Sequence, residues 1–266
     1  MIGSWIDNRW VKALVPLVIG AAVLGAWEWQ VSSREVPEYV LPAPSAIAHT
    51  LWEDSQVLLS AWLVTFRTMM LALSLAVVGG VLLSLLFVGS RLLEVSLFPY
   101  AVVLQVTPLI VIAPLLTIWI EQVNLVLLLC AWIVAFFPIL SNTVVGLKSA
   151  DRNLLDLMRL YRASPWQRLR LLLIPSALPY FLAGLKVAAN LSLVGAVVAE
   201  FAVGAGGAQT GLASVILESS FQLQTARLFA ALAMISATGI AIYFAIHLLT
   251  QWLLGAWHES ALGREA

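Results

Sequence analysis

Charge is what this 266-residue chain has least of. Only 11% of its residues are charged, 14 basic against 14 acidic, where a soluble domain carries roughly 25%. The balance is neutral, so the net charge gives no support for a nucleic-acid partner. Cysteine is nearly absent as well. Cys130 stands alone among Leu127, Leu128, Leu129 and Trp132, which excludes an internal disulfide and reads as apolar packing. His49, His247 and His258 are scattered singly, without the spacing of a metal site. No nucleophile stands with a base or paired acids in one motif, so enzyme chemistry has no foothold. The glycine-rich run VGAGGAQTGL after Ala202 lacks the Lys-Ser/Thr ending of a phosphate-binding loop.

What the chain has is apolar length. It is 62% hydrophobic with a mean hydropathy of +0.98, the composition of an integral membrane protein. Crossing a ~30 Å hydrocarbon core takes about 20 mostly apolar residues as helix. Six stretches qualify: 13–29, 68–89, 95–120, 125–147, 175–203 and 228–254. Arg9 and Lys12 precede the first, which a cleaved signal peptide would share. Trp27 and Trp29 at its far end suit an interfacial belt and favour a retained helix. The fold expected is all-α, a single transmembrane domain over 1–266.

Basic residues set the orientation. Lys148, Arg152, Arg159, Arg162, Arg168 and Arg170 concentrate in one short loop, about 148–175, and such an excess marks the cytoplasmic side. Alternation then puts both termini in the cytoplasm. Arg9, Lys12, Arg91 and Arg264 fall inside, while Arg34, Arg67 and Arg227 fall outside or at that edge. Glu28, Glu35, Glu38, Glu53 and Asp54 cluster outside. The external segment 36–54 carries Pro37, Pro42 and Pro44, with Ser45 able to cap a short surface helix through Trp52. It is either an ordinary connection or a partner contact.

The cytoplasmic loop has internal order. Leu154, Leu157, Met158 and Tyr161 recur at helical spacing, with Arg152, Asp156 and Arg159 on the other side. Ser164-Pro165-Trp166-Gln167 then supplies a cap, a proline at the first helical position and a glutamine at the third. That capping box starts a second helix, expected to stop near Pro175. Pattern alone allows either a docking surface or a hairpin that merely anchors orientation.

Two further features concern a pathway. The third stretch holds Pro99, Pro108 and Pro114, with Gln105 and Thr107 beside the middle one. Each proline removes a backbone donor, and freed carbonyls at membrane depth belong in buried or water-lined places. Gln105, Thr107 and Pro108 therefore line a pathway or merely kink a packing helix. In the fifth stretch the polar residues are Lys186, Asn190 and Glu200. Lys186 snorkels to the cytoplasmic face. Glu200, an ionisable group in a span, is a gate or a contact for an external partner. The glycine-rich segment reads as a hinge before a short helix over 213–223. The absence of mid-membrane cations argues mildly against a tight anion site.

The run from Asp156-Leu157-Met158 through Ala163-Ser164, Gln167, Ile174-Pro175 and Leu178-Pro179 resembles the coupling loop of ATP-binding-cassette importer permeases. Ala183-Gly184-Leu185-Lys186 and Gly195 to Phe201 extend the resemblance, which is closest to the nitrate/sulfonate/taurine type. The family pattern has Glu where this chain has Asp156, alanines at Leu157 and Met158, and glycine at Arg162. Either the turn is built differently here or Arg162 serves the partner contact directly. The resemblance implies a type I importer permease in a bacterial cytoplasmic (inner) membrane, working as a homodimer. Its partners would be cytosolic ATPase subunits, which hold the ATP and magnesium, and an extracytoplasmic solute-binding protein. Asp156, Leu157, Met158, Arg162, Ala163, Ser164, Gln167 and Pro175 would form the ATPase contact. The solute would be nitrate, a sulfonate, taurine, or a pyrimidine- or riboflavin-precursor-like heterocycle. The rival reading is an ion- or proton-coupled secondary transporter. It would usually show repeat-related halves and mid-depth carboxylates, and neither is visible.

Overall fold

A computed structural model describes residues 9–204 and 210–255. Arg264, His258 and the centre of the glycine-rich hinge lie outside the described residues. Among those described, every regular element is helical: α1 (Arg9–Ser33), α2 (Pro44–Glu53), α3 (Ser55–Gly89), α4 (Arg91–Val106), α5 (Leu109–Trp119), α6 (Val123–Lys148), α7 (Arg152–Leu160), α8 (Pro165–Val203), α9 (Leu212–Phe221) and α10 (Thr225–Leu254). Five of these are long and apolar enough to cross a membrane, and six spans result if the bent pair α4–α5 counts as one.

The core is a three-helix stack with α6 in the middle. Ala76 of α3, Ile139 and Leu140 of α6, and Ala188 and Ala189 of α8 are buried in one cluster. Small residues set the spacing. A Cβ on Gly80 would come within 2.7 Å of Ile139 Cγ2, and one on Gly184 within 2.7 Å of the Pro138 carbonyl oxygen. Such close approach is what small residues permit between membrane helices. By contrast α1 lies at the margin, with only 6% of its span buried. It meets the bundle at one end, through Trp27 against Phe229 at 5.9 Å and Glu28 accepting from Ser45.

The third stretch is not one kinked span. α4 and α5 meet at 103°, because the break is complete. Pro108 has no N–H, and its ring pushes Thr107 into extended backbone at φ −73°, ψ 125°. Pro99 and Pro114, in contrast, sit inside continuous helix. At ~1.5 Å per residue α4 alone rises about 24 Å, and α5 then turns across.

The second helix of the basic loop also departs from expectation. It does not stop near Pro175 but runs from Pro165 to Val203. A π turn over Leu169–Leu173 closes with Ile174 N–H donating to the Leu169 carbonyl. The wider turn offsets the carbonyls where the Pro175 ring would otherwise clash. α2 forms as expected, but Ala43 is its N-cap, and Ser45 instead hydrogen-bonds Glu28.

Ion pairs mark the two ends. Arg227 at the start of α10 meets Asp54 at the start of α3 at 2.7 Å, so these spans run the same way. At the opposite end Glu94 of α4 bridges Arg91 and Lys148, the last residue of α6.

Candidate functional site

The loop after α6 is built by two local devices. Asp151 caps α7 by accepting from Asn153 N–H at 2.8 Å. The helix ends in a Schellman turn: Ala163 N–H donates to the Met158 carbonyl and Arg162 N–H to the Arg159 carbonyl, both at 2.9 Å. Arg162 takes the left-handed position of that turn, φ 51°. The turn is therefore of the glycine-favouring kind, made here by an arginine at a cost of roughly 1 kcal/mol. Directly after it, Ser164 Oγ accepts from Gln167 N–H at 3.2 Å, and the Gln167 amide oxygen accepts from Ser164 N–H at 2.7 Å. The two devices leave Ala163 and Ser164 between helices whose ends are both satisfied.

This hairpin presents apolar surface. α7 has no buried residue. Leu160 is 82% exposed, Tyr161 80% and Trp166 65%. Asp156 pairs with Arg159 at 2.9 Å on the polar side, while Leu157 is exposed and Met158 half-buried. Pro175 lies within α8, two residues past the end of the π turn. The second half of the hairpin is therefore the first part of a core span.

The candidate pathway residues are not equivalent. Gln105 and Asn190 are exposed, with no side-chain hydrogen bond among the described residues. Thr107 donates back to the Val103 carbonyl at 2.6 Å, and Pro108 forms the α4–α5 elbow. Glu200 is 1% exposed, and both its oxygens are engaged inside the protein. Oε1 accepts from Thr65 Oγ1 at 2.8 Å, and Oε2 from Ala213 N–H at 2.9 Å. Thr65 Oγ1 itself accepts from Leu212 N–H at 2.9 Å. Two unsatisfied donors at the start of α9 are thus met by side chains of α3 and α8, as a helix N-terminus requires.

Thr65 was not legible as Glu200's partner, since nothing in sequence links positions so far apart. Nor was Tyr243, whose ring lies 4.2 Å from Lys186 Nζ. This contact gives Lys186 an aromatic partner within the bundle.

The sequence profile for the family described as "Binding-protein-dependent transport system inner membrane component" matches residues 76–255. The formylaminopyrimidine transport permease protein ThiX of Halalkalibacterium halodurans is 32% identical over 249 residues, 93% of this chain and 97% of that one. The riboflavin transport system permease protein RibX of Chloroflexus aurantiacus is 30% identical over 254 residues, 95% and 92% of the two chains. A probable ABC transporter permease protein of Haemophilus influenzae is 29% identical over 92% of this chain and 96% of its own length. In fold, the chain is similar to a protein in the crystal structure of an amino acid ABC transporter with histidines. The TM-score is 0.60 at 17% identity, covering 77% of this chain and 95% of that one. The matched region takes in α6, the hairpin and α8 whole, and the fold is that of a type I importer permease. This chain belongs to the binding-protein-dependent inner-membrane components, as a permease of the ATP-binding-cassette import systems.

Proposed function

We propose that this permease works as a homodimer with two cytosolic ATPase subunits and an extracytoplasmic binding protein, in a bacterial cytoplasmic membrane with both termini inside. The solute is small and polar or heterocyclic; the nearly full-length similarity to permeases named for formylaminopyrimidine and riboflavin supports the heterocyclic end of that range. One observation carries the reading. The hairpin at 148–175 offers an uncovered apolar side, and its second helix runs on through a π turn into the core span. A push on Trp166 or Tyr161 is delivered along α8 towards Asn190 and Glu200. The chain itself holds no nucleotide motif, so a partner hydrolyses ATP.

A proton-coupled carrier would need a carboxylate open to the pathway. Glu200 lies within a span but is bound on both oxygens to Thr65 and Ala213. The importer reading is favoured accordingly. The test is ATP hydrolysis by the complex purified through this chain and reconstituted in lipid. Stimulation by the solute-loaded binding protein is expected. Solute uptake driven by an ion gradient, with no ATPase co-purifying, would overturn it.

A further inference from the structure

A groove of about 640 Å³ opens between the first halves of α3 and α6. One stripe of α3 forms its first wall, Ser60 through Leu71, and Gln122, Asn124, Leu125 and Leu128 form the other. Arg67 stands in the middle of the α3 stripe. At ~1.5 Å per residue it lies roughly 33 Å along α3 from Gly89, about one hydrocarbon thickness. Arg67 thus sits at the same membrane boundary as the start of α6, on the side that carries Asp54 and Arg227.

An arginine at such a boundary keeps its guanidinium at the interface, where it is free to hold an anion. Arg67 takes part in none of the ion pairs among the described residues, and the same holds for Arg34, Arg152, Arg162, Arg168 and Arg170; what sets Arg67 apart is the groove beside it. The groove also holds Thr68, Gln122 and Asn124. None of the three has a side-chain hydrogen bond within the described structure. Ser60 and Thr210 are further polar lining, and Leu63, Val64, Leu71, Leu125 and Leu128 complete it. Polar and apolar side chains thus share the wall about evenly, and the volume falls within the usual ~300–1,000 Å³ of a small-molecule site.

We propose that this groove binds a small organic oxyanion, with Arg67 holding its charged head and the leucines its apolar body. A guanidinium presents paired N–H donors that match two oxygens of a carboxylate or sulfonate. Thr68, Gln122 and Asn124 add neutral donors, so the head is oriented without a second cation. One positive charge at the membrane boundary suits a solute that is received and released, consistent with the lack of mid-membrane cations. Calling the ligand the transported solute rests on the importer reading; the binding itself does not.

The same chemistry could come from an anionic lipid headgroup, so the test separates the two. The full chain in phosphatidylcholine nanodiscs is titrated with 1-pentanesulfonate by saturation-transfer NMR, with n-pentylammonium as control. Saturable binding of the sulfonate alone is expected. Its Kd should rise about tenfold or more in Arg67→Gln, as expected for a lost charge-assisted pair. Arg67→Lys should fall between, and Asn124→Leu, which keeps the charge, should weaken binding by about two- to fivefold. Unchanged binding in Arg67→Gln, or equal binding of pentylammonium, would overturn the proposal. So would Arg67-dependent displacement of the sulfonate by phosphatidylglycerol mixed into the discs, since lipid would then be the occupant. No ATPase enters this experiment, so a failed co-purification and a failed titration are told apart.

Discussion

Glu200 and Thr65 lie 135 positions apart and share a 2.8 Å hydrogen bond that holds a third element, the start of α9. α3 and α8 are tied to each other and to α9 at one point. Gly211 completes it: a Cβ there would come within 2.1 Å of Glu200 Oε1.

Removing either side chain leaves buried donors unmet. Thr65→Val or Glu200→Ala should destabilise the chain by about 1–3 kcal/mol. A lowered thermal midpoint in detergent would register this. Gly211→Ala should do the same by forcing the carboxylate aside. Thr65→Ser keeps the hydroxyl and should remain close to wild type. Equal midpoints for Thr65→Val and Thr65→Ser would show that the hydroxyl holds nothing.

Arg162 is strained at φ 51°. Arg162→Gly should therefore raise stability by roughly 1 kcal/mol while uptake continues. Arg162→Val, β-branched at a left-handed position, should lower it. Thermal midpoints of the three proteins give the order. Loss of uptake in Arg162→Gly with a raised midpoint would assign the side chain to the partner contact instead.

How much of this was legible in sequence follows from range. The capping box at Ser164 and Gln167 is local chemistry, and it stands where the residues put it. The spans follow from apolar length, and the hairpin from basic clustering and helical spacing. At Pro108 the sequence leaves a break and a kink both open, because a proline looks the same in both; what decides is that Thr107 goes extended. Pro175 misled in the opposite direction, since a π turn absorbs a proline that would end an ordinary helix. The role of Glu200 was hidden because its partners arrive from α3 and α9. The groove at Arg67 was hidden for the same reason, as its polar residues come from separate helices.

Orientation is checked by cysteine labelling in a Cys130→Ser background; Cys130 is buried, so the wild-type thiol is a minor target. Trp166→Cys is the better probe than Gln167→Cys, because the Gln167 amide completes the capping box. Impermeant maleimide should label Trp166→Cys only in inside-out vesicles. Labelling from outside intact cells would reverse the topology.

The elbow tests the pathway and the dimer together. Tyr100, Val103, Val106, Ile110 and Val111 are all exposed, an apolar face that a second copy would cover. Single cysteines over 101–106 should crosslink with helical periodicity, and the pattern should restart after Pro108. Gln105→Leu should reduce uptake several-fold, with assembly and the binding protein's affinity unchanged. Unaltered transport in Gln105→Leu would leave the elbow a packing feature.

The central claim is that the hairpin transmits ATPase motion, and Ala163→Asp tests it most directly. Ala163 is half-buried between a Schellman turn and a capping box. Its backbone bond to the Met158 carbonyl survives the substitution, but a charge enters the proposed docking surface. The measurement is the amount of ATPase retained when this chain is purified from membranes, normalised to permease. The expected result is a loss of at least about tenfold, which is about 1.4 kcal/mol or more, with normal membrane insertion. ATPase retention and uptake both equal to wild type would contradict the account.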